Sequence, residues 1–196
     1  MNDKQVQELL YQALETEAGG QEVYRTAIGC AENTELEEEW NKYLAETAEH
    51  ERILLETFVE LNLDPSRETP GREVVRHIGR SLVEAMNQAR SAGPVAAQLV
   101  AAECIVLAET KDHQNWQLLS RAAEESSGRL AKVLRKAVDQ VEDQEDEHLY
   151  HTMGWTRELW LESLGIPAVL PPPEEERGVK TAIGAARAAQ ARKEML

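Results

Sequence analysis

An all-α protein is the fold class that the sequence predicts, and three observations predict it. Ala, Glu, Leu and Gln dominate the 196 residues and favour helix over strand, whereas aromatic residues make up only 5%. Apolar residues recur near the 3.6-residue period through four long segments. Proline and glycine fall between those segments. We therefore expect one helical bundle over residues 1–165 and an appended tail over 166–196.

The first predicted helix runs from about Lys4 to about Ala31, and its apolar stripe includes the position of Glu17. Gly19-Gly20 is expected to interrupt this helix, either to admit a neighbouring backbone or simply as a weak point.

The second predicted helix begins at Thr34, because Thr34 followed by Glu37 is a capping-box signature. Its short connection to the first helix predicts an antiparallel hairpin. Pro65 and Pro70 end the second helix, and a long crossover follows that contains its own helix over about residues 72–91.

The last two long helices form a second predicted hairpin. One starts near Pro94 and ends at about Glu125, and the other runs from about Arg129 towards Leu161, with a tight connection at residues 126–128. Hairpin, long crossover, hairpin is the up-down-down-up order of ferritin-like four-helix bundles. In the tail, Pro171-Pro172-Pro173 predicts an extended stretch, followed by an Ala-rich basic helix or a frayed end over about 180–194.

Composition excludes several classes of partner. The formal net charge of -15 disfavours nucleic acid and anionic membrane surfaces, and it makes cations the expected small partners. Composition alone favours a simpler interpretation, in which the charge only keeps the surface soluble. Cys30 and Cys104 are far from any C-x-x-C spacing, so neither a disulfide framework nor an iron-sulfur site is expected. With a polar start and no apolar stretch long enough to span a bilayer, we expect a soluble protein of the reducing cytoplasm.

Carboxylate and histidine residues cluster on all four long helices, and they are the candidate metal ligands: Glu17; Glu46 and His50; Glu109 and His113; Glu145 and His148. Glu and His three or four residues apart share one helix face, and such pairs hold two metal ions inside helical bundles. Carboxylate with imidazole suits iron or manganese.

The depth of these residues within each hairpin agrees with one shared site. At about 1.5 Å per residue, Glu109 lies roughly 24 Å before its connection and Glu145 roughly 26 Å after it. Glu17 lies roughly 21 Å before the first connection, and Glu46 and His50 roughly 18 and 24 Å after it.

Simpler interpretations remain open for some of these residues. A chain with 36 acidic residues places Glu near His by chance, and such pairs often lie on solvated faces. Four further carboxylates could replace a chosen ligand: Glu49, Glu103, Asp112 and Glu142. Tyr24 and Trp116 are candidates for redox-active neighbours of a metal, but packing is their favoured role.

The chain resembles the ferritin-like superfamily, particularly its small rubrerythrin-like and stress-associated bacterial members, in three segments: 14–24 (LETEAGGQEVY), 46–50 (ETAEH) and 145–148 (EDEH). The resemblance implies a di-iron or di-manganese centre that handles Fe(II), dioxygen or peroxide, in a ferroxidase-type or peroxidase-type reaction, and we expect a homodimer. It assigns Glu17 and Glu109 as single ligands, and Glu46/His50 and Glu145/His148 as pairs.

One position departs from the family pattern. The family pairs Glu-x-x-His on both the second and the fourth helix, but Thr47 stands where the Glu of the second helix belongs. His113 is an additional candidate that the pattern does not require, and the chain lacks the C-x-x-C pairs of a rubredoxin module. A metal-free structural or interaction bundle, or a di-iron oxygenase that acts on an organic substrate, are therefore the alternatives.

Overall fold

The computed structural model describes residues 2–168, and this part of the chain is all-α, as predicted. Its helices are α1 (Asp3–Ile28), α2 (Thr34–Leu61), α3 (Pro70–Ala89), α4 (Pro94–Glu125) and α5 (Gly128–Ser163), with one 3₁₀ turn (Arg90–Ala92) after α3. The expected proline-rich stretch and tail helix lie outside the described residues. Within residues 2–168, no helix combines the length and apolar character needed to cross a membrane.

The predicted interruption of the first helix is wrong. α1 passes through Gly19-Gly20 without a break and ends at Ile28, three residues before the predicted end. A Cβ added to Gly20 would lie 3.4 Å from the methyl carbon of Thr47 on α2, so Gly20 lies where the two helices pack closely. Packing against α2 therefore outweighs the weak helix propensity of the two glycines.

The start of α2 also differs in detail from the prediction. Asn33, rather than Thr34, is the N-cap, and its side chain accepts a hydrogen bond from the backbone N–H of Leu36. At the other end, Asn62 adopts the left-handed conformation with φ 54°, which asparagine tolerates better than most residues. α2 thus ends before the crossover prolines, as their positions predict.

Contacts between neighbouring helices fix their relative directions. α1 packs against α2, α3 and α4, and α5 packs against α2 and α4. Hydrogen-bonded pairs run in opposite order along the partners: Glu17–Trp116 and Tyr24–Glu109 between α1 and α4, and Glu39–Trp155 and Glu60–Lys136 between α2 and α5. Each of these two helix pairs is therefore antiparallel. α3 lies against α1 and α4.

The buried apolar side chains form two clusters, which follow each other along the helices. The Trp40 cluster includes Tyr24, Tyr43 and Trp155, and the Phe58 cluster includes residues from the opposite ends of the same four helices. Between them lies a layer of buried polar side chains, contributed by α1, α2, α4 and α5. Burial of unpaired charge is costly, so a layer of this kind needs compensating partners.

Candidate metal centre

Six polar side chains from four helices form the centre of this layer. We call them the six-residue cluster: Glu17 on α1, His50 on α2, Glu109 and Asp112 on α4, and Glu145 and His148 on α5. None of the six is more than 5% exposed. The residues on α4 and α5 are spaced three apart, which places each pair on one face of its helix.

Glu145 lies at the middle of the cluster. Its carboxylate belongs to two groups of potential ligands, one with His50 and His148 and the other with Glu17 and Asp112. Within each group, the potential ligand atoms all lie within 4.8 Å of one another. The Nδ1 atom of His50 is 3.0 Å from Oε1 of Glu145, and the Nδ1 atom of His148 is 3.7 Å from the same oxygen.

Seven atoms of the cluster are buried and have no hydrogen-bond partner within the described part of the chain. They are Oε2 of Glu17, Nδ1 of His50, Oε2 of Glu109, Oδ1 of Asp112, both carboxylate oxygens of Glu145 and Nδ1 of His148. Buried polar groups are almost always satisfied, so seven converging exceptions require an explanation. All seven are atom types that ligate metal ions, and a bound cation would satisfy them together.

Two aromatic side chains orient the carboxylates. The Trp116 indole N–H donates to Oε1 of Glu17 at 2.7 Å, and the Tyr24 hydroxyl donates to Oε1 of Glu109 at 2.7 Å. Each bond engages one oxygen and leaves the other, Oε2, without a partner. Tyr24 and Trp116 therefore belong to the apolar clusters and also hold two potential ligands in place.

A hydrogen-bonded chain behind the cluster orients both histidines. The Nε2 atom of His50 is 2.8 Å from Oε1 of Gln144, whose amide donates to Oε1 of Glu46 at 3.4 Å. The other oxygen of Glu46 is 2.9 Å from Nε2 of His148. Since both Nε2 atoms face acceptor oxygens, a neutral imidazole carries its proton there and directs the Nδ1 lone pair into the cluster.

The electrostatics of the cluster show an excess of negative charge. Burial and the neighbouring Asp112 and Glu145 carboxylates hold the pKa of Glu17 well above its usual range. Burial and the carboxylates of Glu145 and Glu109 likewise raise the pKa of Asp112. Burial and Glu109 raise the pKa of Glu145 to about 8. Without a cation, these carboxyl groups keep protons that they would lose in water.

The two histidines respond to this field in opposite ways. Burial lowers the pKa of His50. Burial acts in the same direction on His148, but the Glu109 and Glu46 carboxylates outweigh it and raise the pKa of His148 to about 10. Burial also raises the pKa of Glu46, yet the bond from His148 and the charge of Lys42 hold that pKa below its usual range.

Five of the seven candidate ligands lie in the cluster. The structure places Glu46 outside it, with one oxygen facing Gln144 and the other His148. It also places His113 apart, with Nε2 2.6 Å from Oδ1 of Asp146, on the side of α4 towards α5. Thr47, at the position where the family pattern has Glu, is buried beside Gly20.

Sequence reasoning missed three features of the centre. Asp112 appeared only as a spare carboxylate, Gln144 was overlooked, and the hydrogen bonds from Tyr24 and Trp116 to the carboxylates were not expected. One signal was available for Asp112, because Glu109-x-x-Asp112 repeats the spacing of Glu145-x-x-His148. No comparable signal marks Gln144, whose role depends on the approach of α5 to α2.

Comparison of the chain with protein-family models, with curated proteins and with solved structures finds no match. The geometry of the six-residue cluster is therefore the feature from which a function can be argued.

Proposed function

We propose that this chain is a ferritin-like protein whose six-residue cluster holds two metal ions, iron or manganese, and that it reacts Fe(II) with dioxygen or peroxide. The observation that carries this proposal is the set of seven buried ligand atoms without hydrogen-bond partners. An arrangement of this kind is costly in a metal-free core, and a cation compensates it.

The connectivity supports the ferritin-like part of the proposal. α1 is antiparallel to α4, and α2 is antiparallel to α5, while the short α1–α2 and α4–α5 connections join two hairpins. α3 fills the long crossover between them. This is the up-down-down-up order expected of a ferritin-like four-helix bundle.

Charge balance supports two divalent ions rather than one. The cluster contains four carboxylates, from Glu17, Glu109, Asp112 and Glu145, and two histidines that are neutral when they ligate. Four negative charges neutralise two divalent cations. A single ion would leave two negative charges buried together.

The two proposed ion positions share Glu145 and differ in their other ligands. Glu17 and Asp112 group with Glu145. His50, which groups with Glu145 and His148, also has its Nδ1 atom 3.7 Å from Oε1 of Glu17, so His50 would join Glu17, Asp112 and Glu145 in holding one ion. His148 Nδ1 lies 3.6 Å from Oε2 of Glu109, and these two would hold the other with Glu145. The second position therefore has one protein ligand fewer.

Each neighbouring residue has a definable task in this proposal. A bound pair of redox-active ions supplies the electrons that reduce dioxygen or peroxide. Tyr24 and Trp116 fix the carboxylates, and Gln144 and Glu46 fix the histidine tautomers. The apolar clusters on both sides limit the access of water.

The test is metal analysis combined with oxidation of added Fe(II). Protein purified from iron-replete and manganese-replete cells is expected to carry up to two ions per chain, and added Fe(II) is expected to consume dioxygen or peroxide. His50→Gln removes one imidazole ligand and is expected to lower both metal content and oxidation. His77→Gln is the matched control, because His77 is exposed on α3.

Two outcomes would reject the proposal. One is less than one ion per chain in protein from both growth conditions, and the other is a His50→Gln protein with the metal content of the His77→Gln control. Anomalous diffraction at the iron and manganese edges would identify the bound ion. A metal-free bundle predicts instead that chelators leave the stability of the protein unchanged.

A further inference from the structure

A cavity of about 470 Å³ lies outside the polar layer, between α1, α3 and α4. Its volume falls within the usual range of small-molecule sites. Most of its lining is apolar and includes Val23, Val75, Leu82, Val83 and Ala108. No residue of the six-residue cluster lines this cavity, so its contents would be separate from the metal centre.

Three helical glycines line the cavity, Gly19 and Gly20 on α1 and Gly79 on α3, and two of them, Gly19 and Gly79, face open space. A Cβ added to either would meet no atom within 4 Å. Neither glycine has a positive φ angle, so no backbone conformation or close helix contact requires it. Because glycine weakens a helix interior relative to alanine, their evident effect is to leave volume between the helices.

Two cations in the lining, Lys111 and Arg80, have no carboxylate partner within ion-pair distance among residues 2–168, and Lys111 is the more buried of the two. Lys111 of α4 is half-buried, and its ammonium donates to the neutral side chain of Asn115. Arg76, in the α3 part of the lining, differs because Glu15 and Glu68 both pair with its guanidinium. An ammonium has three donors, so Lys111 keeps capacity for an anionic ligand.

We propose that this cavity binds an amphiphilic carboxylate, with its acid group on Lys111 and its hydrocarbon chain between α1 and α3. The α3 residues of the lining extend from Val75 to Glu84, which spans about 13 Å along the helix axis. That span suits a medium-length hydrocarbon chain. Besides Lys111, the lining includes the charged residues Glu15, Glu22, Arg76, Arg80 and Glu84. Predominantly apolar walls with a small number of polar or charged groups are the usual composition of a small-molecule site.

The test is equilibrium binding of decanoate to the full-length protein, as purified and after treatment with chelator. Decanoate is expected to bind saturably in both preparations. Lys111→Met keeps the side-chain length and removes the charge, and it is expected to weaken decanoate binding by roughly tenfold or more, while decanol binds the two proteins equally. Lys132→Met, an exposed position on α5, is the charge control.

Gly79 offers a matched pair of variants that separates cavity filling from helix propensity. Leucine and alanine both improve the helix, but only Gly79→Leu fills the cavity, so it is expected to abolish binding of decanoate and decanol while Gly79→Ala retains most of it. The proposal is overturned if decanoate does not saturate, if Lys111→Met binds it as the control does, or if Gly79→Leu binds it normally. A protein that loses metal content but still binds decanoate would reject only the metal centre.

Discussion

Glu145→Gln is expected to stabilise the metal-free protein and to abolish its stabilisation by metal. Glu145 is 1% exposed, lies in both groups of ligand atoms, and has two carboxylate oxygens without hydrogen-bond partners. Glutamine has the same shape as a protonated glutamate and cannot ionise. The two effects of the substitution have opposite signs, which a purely structural role for Glu145 does not produce.

The pH dependence gives the size of the first effect. Burial and the Glu109 carboxylate raise the pKa of Glu145 from 4.5 to about 8. A carboxyl group with a raised pKa in the folded state lowers stability as pH rises above its unfolded pKa, until the folded pKa is reached. Between pH 4.5 and pH 7 this is about 2.5 pH units at about 1.36 kcal/mol each, or about 3 kcal/mol. Glu145→Gln should recover that amount at pH 7 and almost nothing at pH 4.5.

Chemical denaturation between pH 4.5 and pH 8, with and without Mn²⁺, measures both effects. At a free Mn²⁺ concentration about a hundredfold above its Kd, the unaltered protein should gain about 2.7 kcal/mol for each bound ion, and the variant should not show this gain. Glu142→Gln is the control, because Glu142 is exposed on the same helix less than one turn away.

A metal-free Glu145→Gln protein that is less stable than the unaltered chain at every pH would refute the reasoning. So would a stability difference that does not change between pH 4.5 and pH 8. Either result would mean that the Glu145 carboxylate has a partner that compensates its charge in the metal-free fold.

Two further substitutions test the remaining contributions to the centre. Asp112→Asn removes one of the four carboxylates. Titration with Mn²⁺ should therefore show two binding events in the unaltered protein, and in the variant one of them should be lost or weakened at least tenfold. Two unchanged binding events in the variant would exclude Asp112 as a ligand. Tyr24→Phe keeps the buried ring but removes the donor to Glu109, so Mn²⁺ affinity should fall about tenfold. The metal-free protein should also lose about 1–3 kcal/mol of stability, because a buried carboxylate oxygen loses its donor. An unchanged affinity would make Tyr24 a packing residue only.

Proline, glycine and capping residues predicted the ends of the helices well where helix packing favours the same ends. Pro94 and Glu125 bound α4 as predicted, because a first-turn proline and the Ser-Ser-Gly connection act locally. The prediction failed at Gly19-Gly20, because the packing of α1 against its neighbours is not visible in the sequence of α1 alone. Asn33 displaced Thr34 as the cap for a similar reason, since both residue types are good caps and the choice depends on the backbone of the connection.

The sequence predicted which helices contribute ligands to the candidate site. It did not predict how each helix is rotated about its axis, which decides which of two neighbouring residues faces the site. On α4, Asp112 is displaced by about 60° from Glu109 around the helix axis in one direction, and His113 by about 40° in the other. Both spacings satisfy the same periodicity. The structure turns Asp112 towards Glu17 and Glu145, whereas His113 faces Asp146. That rotation is set by how α4 packs against α1, α3 and α5, which no single helix encodes.

The proposed two-ion centre gives one physical explanation for Thr47, where the ferritin-like pattern has Glu, and for the presence of Asp112. A neutral centre with two divalent ions needs four carboxylates, and α2 supplies none because Thr47 occupies the position and Glu46 is turned towards His148 and Gln144. Asp112 on α4 supplies the fourth, three residues after Glu109. In the proposed centre, Asp112 would thus replace the carboxylate that the ferritin-like pattern has on α2, and the number of negative charges would stay at four. Glu46 serves the centre in another way, because its two oxygens complete the chain of bonds between His50 and His148.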